Sequence, residues 1–438
     1  MTIGLTNRVE RPRRMSVPRG QWLGIAHLPI GAYLTAGFVA LIGHAWGVMP
    51  RWLALHLTVL GAITNAIIAW SAHFTDALLV VPPDQRRPPI RRLLMLNTGV
   101  VAVLVGVPAG SNGVVIAGAV LIAGAIVGHI AAIARRIAVR RGRRFGWVAW
   151  SYAAAGGALI AGSGCGAALA VGVTEPWQSR VFAAHVLLNA LGWIGLTVLA
   201  SQGAMWPMVL ATRPPAEAEY ATRLTAVAAP LGLGVAAGGA LAGSAEIVRA
   251  GLSGYVVAIG SVLFAFVRSA VGRRLSFAAW SMAAADGWLG WVAVDAGAAG
   301  GLTAIGQRLD AAVPWLVAGF VLQVFVGAST YLVPVVFGGG PSRAPRVAER
   351  LHRGWFGRWL LLNAALAVAA VSSSPTLRRG AWVAAFGVLG VALVLLGTAV
   401  IGSIHLRRRG TRAGRGRLYG VRERDGAPTT DGGGRGVD

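Results

Sequence analysis

Most of the eight histidines in this 438-residue chain fall inside or at the ends of long apolar segments. Neutral imidazole is the commonest protein ligand for transition metals and for haem iron, and an ionisable side chain in such a segment is costly unless it has a partner or a task. If successive segments run in alternate directions, His44 at the end of the first, His56 near the start of the second and His185 near the start of the sixth come out at one depth. They are the candidate metal ligands, although a histidine at a helix end, such as His27 or His44, also fits interfacial hydrogen bonding. His185 and Asn189 are four residues apart and share a helix face, so Asn189 can orient the imidazole or hold a water. Gly192 continues that face without a side chain, a notch for a bulky ring or for a neighbouring helix. His73, Asp76 and His129 form a second group, roughly 20 Å further along helices that rise 1.5 Å per residue. Asp286, Asp295, Gln323, Thr330 and Asn363 are further polar residues in apolar segments. They suit a proton or ion path, or interhelical hydrogen bonds worth about 0.6 kcal/mol each.

The elements that must carry these residues are membrane spans. Charged residues make up 13% of the chain and hydrophobic ones 55%, with 62 glycines; a soluble domain carries about 25% charged residues. A bilayer-crossing helix needs roughly 20 mostly apolar residues, because unpaired backbone groups are not tolerated in hydrocarbon. The pattern predicts twelve spans, at 28–47, 53–78, 93–109, 113–134, 147–171, 181–210, 224–242, 251–268, 275–297, 312–337, 356–373 and 381–405. The shortest, 93–109 and 356–373, leave eleven or thirteen as alternatives. The expected organisation is a basic cytoplasmic tail over 1–26, an all-α polytopic bundle over 27–405 and a disordered cytoplasmic tail over 406–438.

All 40 basic residues are arginines, and with twelve spans 34 of them fall on the side of the two termini. The other six are Arg51, Arg180, Arg249, Arg308, Arg378 and Arg379. Basic loops stay in the cytoplasm, so both termini are expected inside and the protein in the plasma (inner) membrane. The net charge of +25 then reflects loops lying against anionic lipid headgroups, at about 1 kcal/mol per basic residue, and no nucleic-acid motif interrupts the spans. The single cysteine, Cys165, can form neither an internal disulfide nor a cysteine metal site. Glycine runs at 156–157, 162–164 and 232–239 predict close helix contacts. Trp193 and Trp288 lie deep in their segments, where an indole N–H needs a partner or a flat cofactor beside it.

Twelve spans with a histidine near the outer end of span two and another near that of span six resemble subunit I of the haem-copper oxidases and the related NnrS-like membrane proteins. The strings 56–65, 70–74 and 185–197, and the segment 323–340 with Tyr331, Leu332, Val333 and Pro334, resemble actinobacterial multi-pass proteins associated with copper oxidase or copper nitrite reductase domains. The resemblance covers most of 20–405. It implies a haem- or copper-associated bundle that handles electrons, nitric oxide or copper beside a periplasmic-facing copper protein. By position, His56 matches the span-two ligand of the low-spin haem and His185 the span-six copper ligand, with His44 as a possible auxiliary. The remainder of the oxidase ligand set is missing. Span seven, over 224–241, has no histidine pair, and span ten, over 317–337, has no axial histidine, Gln323 being the nearest polar residue. The tyrosine expected four residues after the span-six histidine is Asn189.

The expected cofactor-binding residues are therefore His56, His185, Asn189 and Gln323, in a protein lacking the full set of an oxygen reductase. The other readings are a transporter and a structural or assembly protein without a redox cofactor. No catalytic triad, HExxH or phosphate-loop motif is present.

Overall fold

The computed structural model describes residues 19–82, 86, 88–140, 142–213, 215–337 and 344–422, the stretch 403–422 by its backbone alone. Within these residues the chain is helical, with no strand. The helices are α1 (Arg19–Ala45), α2 (Arg51–Leu78), α3 (Ile90–Gly106), α4 (Asn112–Val139), α5 (Gly146–Val171), α6 (Trp177–Val209) and α7 (Ala216–Ala242). They continue as α8 (Ala245–Ala270), α9 (Phe277–Gly297), α10 (Leu302–Val336), α11 (Ala344–His352), α12 (Trp355–Val371) and α13 (Pro375–Arg422). Residues 1–18 and 423–438 of the two expected tails lie outside the described residues.

Among the described residues nine helices are long and apolar enough to cross a bilayer, and ten if α11 and α12, bent by 41° at their junction, count as one broken span. The chain is thus a polytopic helical membrane protein. Of the twelve expected spans, α3 has only 17 residues, as does α12. The 21 residues of α9 include Asp286, Asp295 and three indoles. Exposed faces carry Leu28, Val39, Leu94, Val101, Val120, Val257, Val383 and Val394, whereas Asn65, Asp76, His129, Gln202, Asp286 and Gln323 are buried. Lipid is the solvent that permits this arrangement, since its tails are as apolar as leucine and the driving force between helices becomes packing.

Glycine sets the closest packing. A Cβ on Gly232 of α7 would stand 2.7 Å from the Gly251 carbonyl oxygen and from the Tyr255 backbone nitrogen of α8, and one on Gly239 would meet the Val248 nitrogen at 2.7 Å. Gly99 of α3 and Gly118 of α4 face each other in the same way. The core spans are α2, α6 and α10, with 56%, 61% and 67% of their apolar windows buried against 22% for both α1 and α13. These three also depart from α-helical geometry. Each contains a π-helical segment, Leu57–Ile63, Leu187–Leu196 and Leu316–Leu322, and each segment holds a glycine pressed by a neighbour. Gly61 lies against Tyr33, Gly192 against Ala158 and Leu233, Gly195 against the Tyr255 hydroxyl and Gly319 against Trp288.

Candidate functional site

The three π-helical segments wall a single cavity of about 530 Å³, within the roughly 300–1,000 Å³ range of small-molecule sites. Val59 and Leu60 come from the first segment, Asn189, Ala190, Trp193 and Ile194 from the second, and Leu316, Val317 and Val321 from the third. A π turn displaces a backbone carbonyl from the ordinary ladder and re-aims the side chains around it, which is why such turns recur at functional sites. His56 immediately precedes the first segment, His185 lies two residues before the second, and both line the cavity.

The two imidazoles have ring centroids 6.4 Å apart and planes inclined by 21°. His56 Nδ1 lies 2.8 Å from the Trp52 carbonyl oxygen, one turn back, and the Trp52 indole stacks on the ring at 4.4 Å. His185 Nδ1 lies 2.9 Å from the Gly162 carbonyl oxygen of α5. A carbonyl can only accept, so each Nδ1 carries the proton and each Nε2 keeps its lone pair. This is the tautomer a metal-ligating histidine adopts when its second nitrogen is anchored. Asn189 holds the turn behind His185, its Nδ2 donating to the His185 carbonyl at 2.7 Å and lying 3.2 Å from Nδ1.

Room for this pair comes from α5. A Cβ on Gly166 would stand 2.9 Å from His185 Cε1, and one on Gly162 would be pressed into the Asn189 amide. The sequence signal for these positions was the small-residue spacing Gly162 to Gly166, legible as packing but not as part of a site. The Gly192 notch does not face the histidines, and its space is filled by Ala158 and Leu233. Trp193 donates to Thr64 Oγ1 at 3.1 Å, which joins the walls of α6 and α2. Arg51 and Asp310 form an ion pair between α2 and α10 and also line the cavity; their side chains are 42% and 43% exposed, which marks this as its open end.

The other expected residues lie apart from the pair. His44 is exposed, its Nδ1 3.1 Å from the Met49 carbonyl oxygen, and it lines a separate apolar groove of about 210 Å³ between α1, α2, α10 and α13. Gln323 is buried between α9, α10 and α12, where its Nε2 donates to Asn363 Oδ1 at 3.3 Å; Trp288 donates to the same oxygen at 2.9 Å. The inner group forms its own network. His129 meets Ser71 Oγ at 2.9 Å and Arg92 at 3.1 Å, Asp76 pairs with Arg136 at 2.5 Å, and Asn65 and Asn97 exchange amide hydrogen bonds. Among the described residues no group of three or more His, Cys, Asp or Glu side chains could hold a metal ion.

No protein-family model matches this sequence, and no curated protein matches it.

Proposed function

We propose that the protein is a plasma-membrane carrier of a metal-based redox cofactor, haem or copper, bound between His56 and His185 at the end of the bundle where α2 and α6 begin. The observation that supports this reading most directly is the spacing of the imidazoles. With ring centroids 6.4 Å apart, the two imidazoles are close enough that both could hold one metal-based group at metal–nitrogen bonds of about 2.0–2.1 Å. Both Nδ1 atoms are already anchored on carbonyls. Two histidines could hold either a haem iron or a copper ion, and among the described residues no third His, Cys, Asp or Glu joins them. The 530 Å³ cavity beside the pair gives room for a large flat group, and Arg51 at its open end can receive an anionic substituent.

When bound, such a group supplies one-electron chemistry. The chain's own residues fix ring orientation through Trp52, Gly162 and Asn189, exclude water with the apolar π-helical walls, and set the mouth with the Arg51–Asp310 pair. This reading keeps both histidines of the oxidase-like and NnrS-like resemblance as ligands, but on one cofactor rather than on a separate haem and copper. It extends to twelve crossings, with α3, α9 and the bent α11–α12 unit as full spans and both termini in the cytoplasm. The open end then faces outward, where a periplasmic-facing copper protein could exchange electrons, nitric oxide or copper with the site. The test is an absorption spectrum with metal analysis of protein purified from haem- and copper-sufficient cells. A Soret band lost in His56→Ala and His185→Ala supports haem, and stoichiometric copper without a Soret band supports copper. Neither signal in folded wild-type protein refutes the reading and leaves a transporter or structural role.

A further inference from the structure

Away from this cavity, the middle of α9 holds a carboxyl group with no compensation. Asp286 is fully buried, and neither of its oxygens has a hydrogen-bond partner among the described residues. None of the described ion pairs includes it. Two of the helices packed against α9 place a polar side chain beside Asp286. From α6 comes the Gln202 amide, buried beside the carboxyl, with Nε2 3.5 Å from the Met282 carbonyl oxygen and Oε1 also without a partner. From α8 comes the Tyr255 hydroxyl, already committed to the Leu191 carbonyl at 2.7 Å. On α9 itself Met282 and Leu289 share its face. Among the described residues no charged group acts on the carboxyl.

An isolated carboxylate in a low-dielectric interior is far costlier than a neutral acid, and unsatisfied buried acceptors call for a missing donor. One proton accounts for two of these three orphans, because a protonated Asp286 becomes a donor on one oxygen and Gln202 Oε1 belongs to the amide beside it. Gln202 also lines a mostly apolar cavity of about 110 Å³ between α2, α6 and α10, where the Ser71, Thr197 and Ser201 hydroxyls are already bonded to carbonyls of their own helices. We propose that Asp286 and Gln202 form an intramembrane proton-binding site, in which Asp286 is a neutral acid donating to Gln202 Oε1. The ligand is a proton.

Infrared spectroscopy of the full-length protein tests this. The wild type should show a carbonyl stretch of a protonated carboxylic acid that shifts in deuterium oxide, is lost in Asp286→Asn and moves in Asp286→Glu. Gln202→Leu, which removes the acceptor and keeps the acid, should shift the same band to higher frequency and serves if Asp286→Asn fails to fold. Absence of the band in the wild type overturns the proposal, as does a band that does not respond to deuterium oxide. Loss of the band on adding sodium at constant pH would reassign the site to a metal cation and likewise overturn it.

Discussion

Substituting Gly166 by alanine adds one methyl group to α5 at a point where the structure leaves no room. The new Cβ would stand 2.9 Å from His185 Cε1 and 3.2 Å from Nδ1, whereas carbon atoms in good contact sit about 3.5–4.0 Å apart. The ring must therefore retreat by about 0.6 Å or more while its Nδ1 stays tied to the Gly162 carbonyl, on the same helix as the intruding methyl. Metal–ligand distances tolerate only about 0.2 Å, so the displacement acts on the Nε2 position more than on the fold. Disturbing the support of a ligand histidine typically lowers affinity by about 10–100-fold, and overpacking costs about 1–3 kcal/mol of stability. Affinity of Gly166→Ala for the proposed cofactor should fall by about 10–100-fold, as read by absorption or metal content per folded protein. Gly164→Ala, two residues away and with nothing within 4 Å of the added Cβ, should behave as wild type. Equal cofactor binding by the two variants would refute the argument that α5 positions His185.

Asp76→Ala removes the carboxylate of a buried ion pair whose side chains are only 8% and 13% exposed, so stability should drop by about 3–5 kcal/mol, measured as thermal unfolding in detergent. Asp310→Ala breaks a half-exposed pair and should cost no more than about 1 kcal/mol; equal losses for the two would show that burial does not set their worth. Gly232→Ala forces α7 away from α8, where backbone atoms would be 2.7 Å from the new Cβ, while Gly234→Ala meets nothing within 4 Å. The first should unfold earlier by about 1–3 kcal/mol and the second should not. Reporter fusions to the two termini should report the same, cytoplasmic side; opposite sides would exclude an even number of crossings.

The sequence by itself determined the solvent and the class of fold. Hydrocarbon permits only helices with satisfied backbones, so composition and segment length alone specify an all-α membrane bundle, and glycines such as Gly232 and Gly239 announce where two helices touch. It also put Trp193 and Trp288 at depths where an indole needs a partner, and the structure gives them Thr64 and Asn363. Depth along a span is a one-dimensional quantity and is legible in residue number, which is how His44, His56 and His185 were grouped. Which face each side chain takes depends on rotation about the helix axis, and the three π-helical segments add rotations that no local signal encodes. Tertiary packing therefore decided that His56 and His185 share a cavity while His44 faces a different groove. It decided too that Gly162 and Gly166 rather than Gly192 make room for the ring, and that Gln323 turns toward Asn363. The proximity of Gln202 to Asp286 has the same origin, since residues 84 positions apart in sequence become neighbours only through the crossing of α6 and α9.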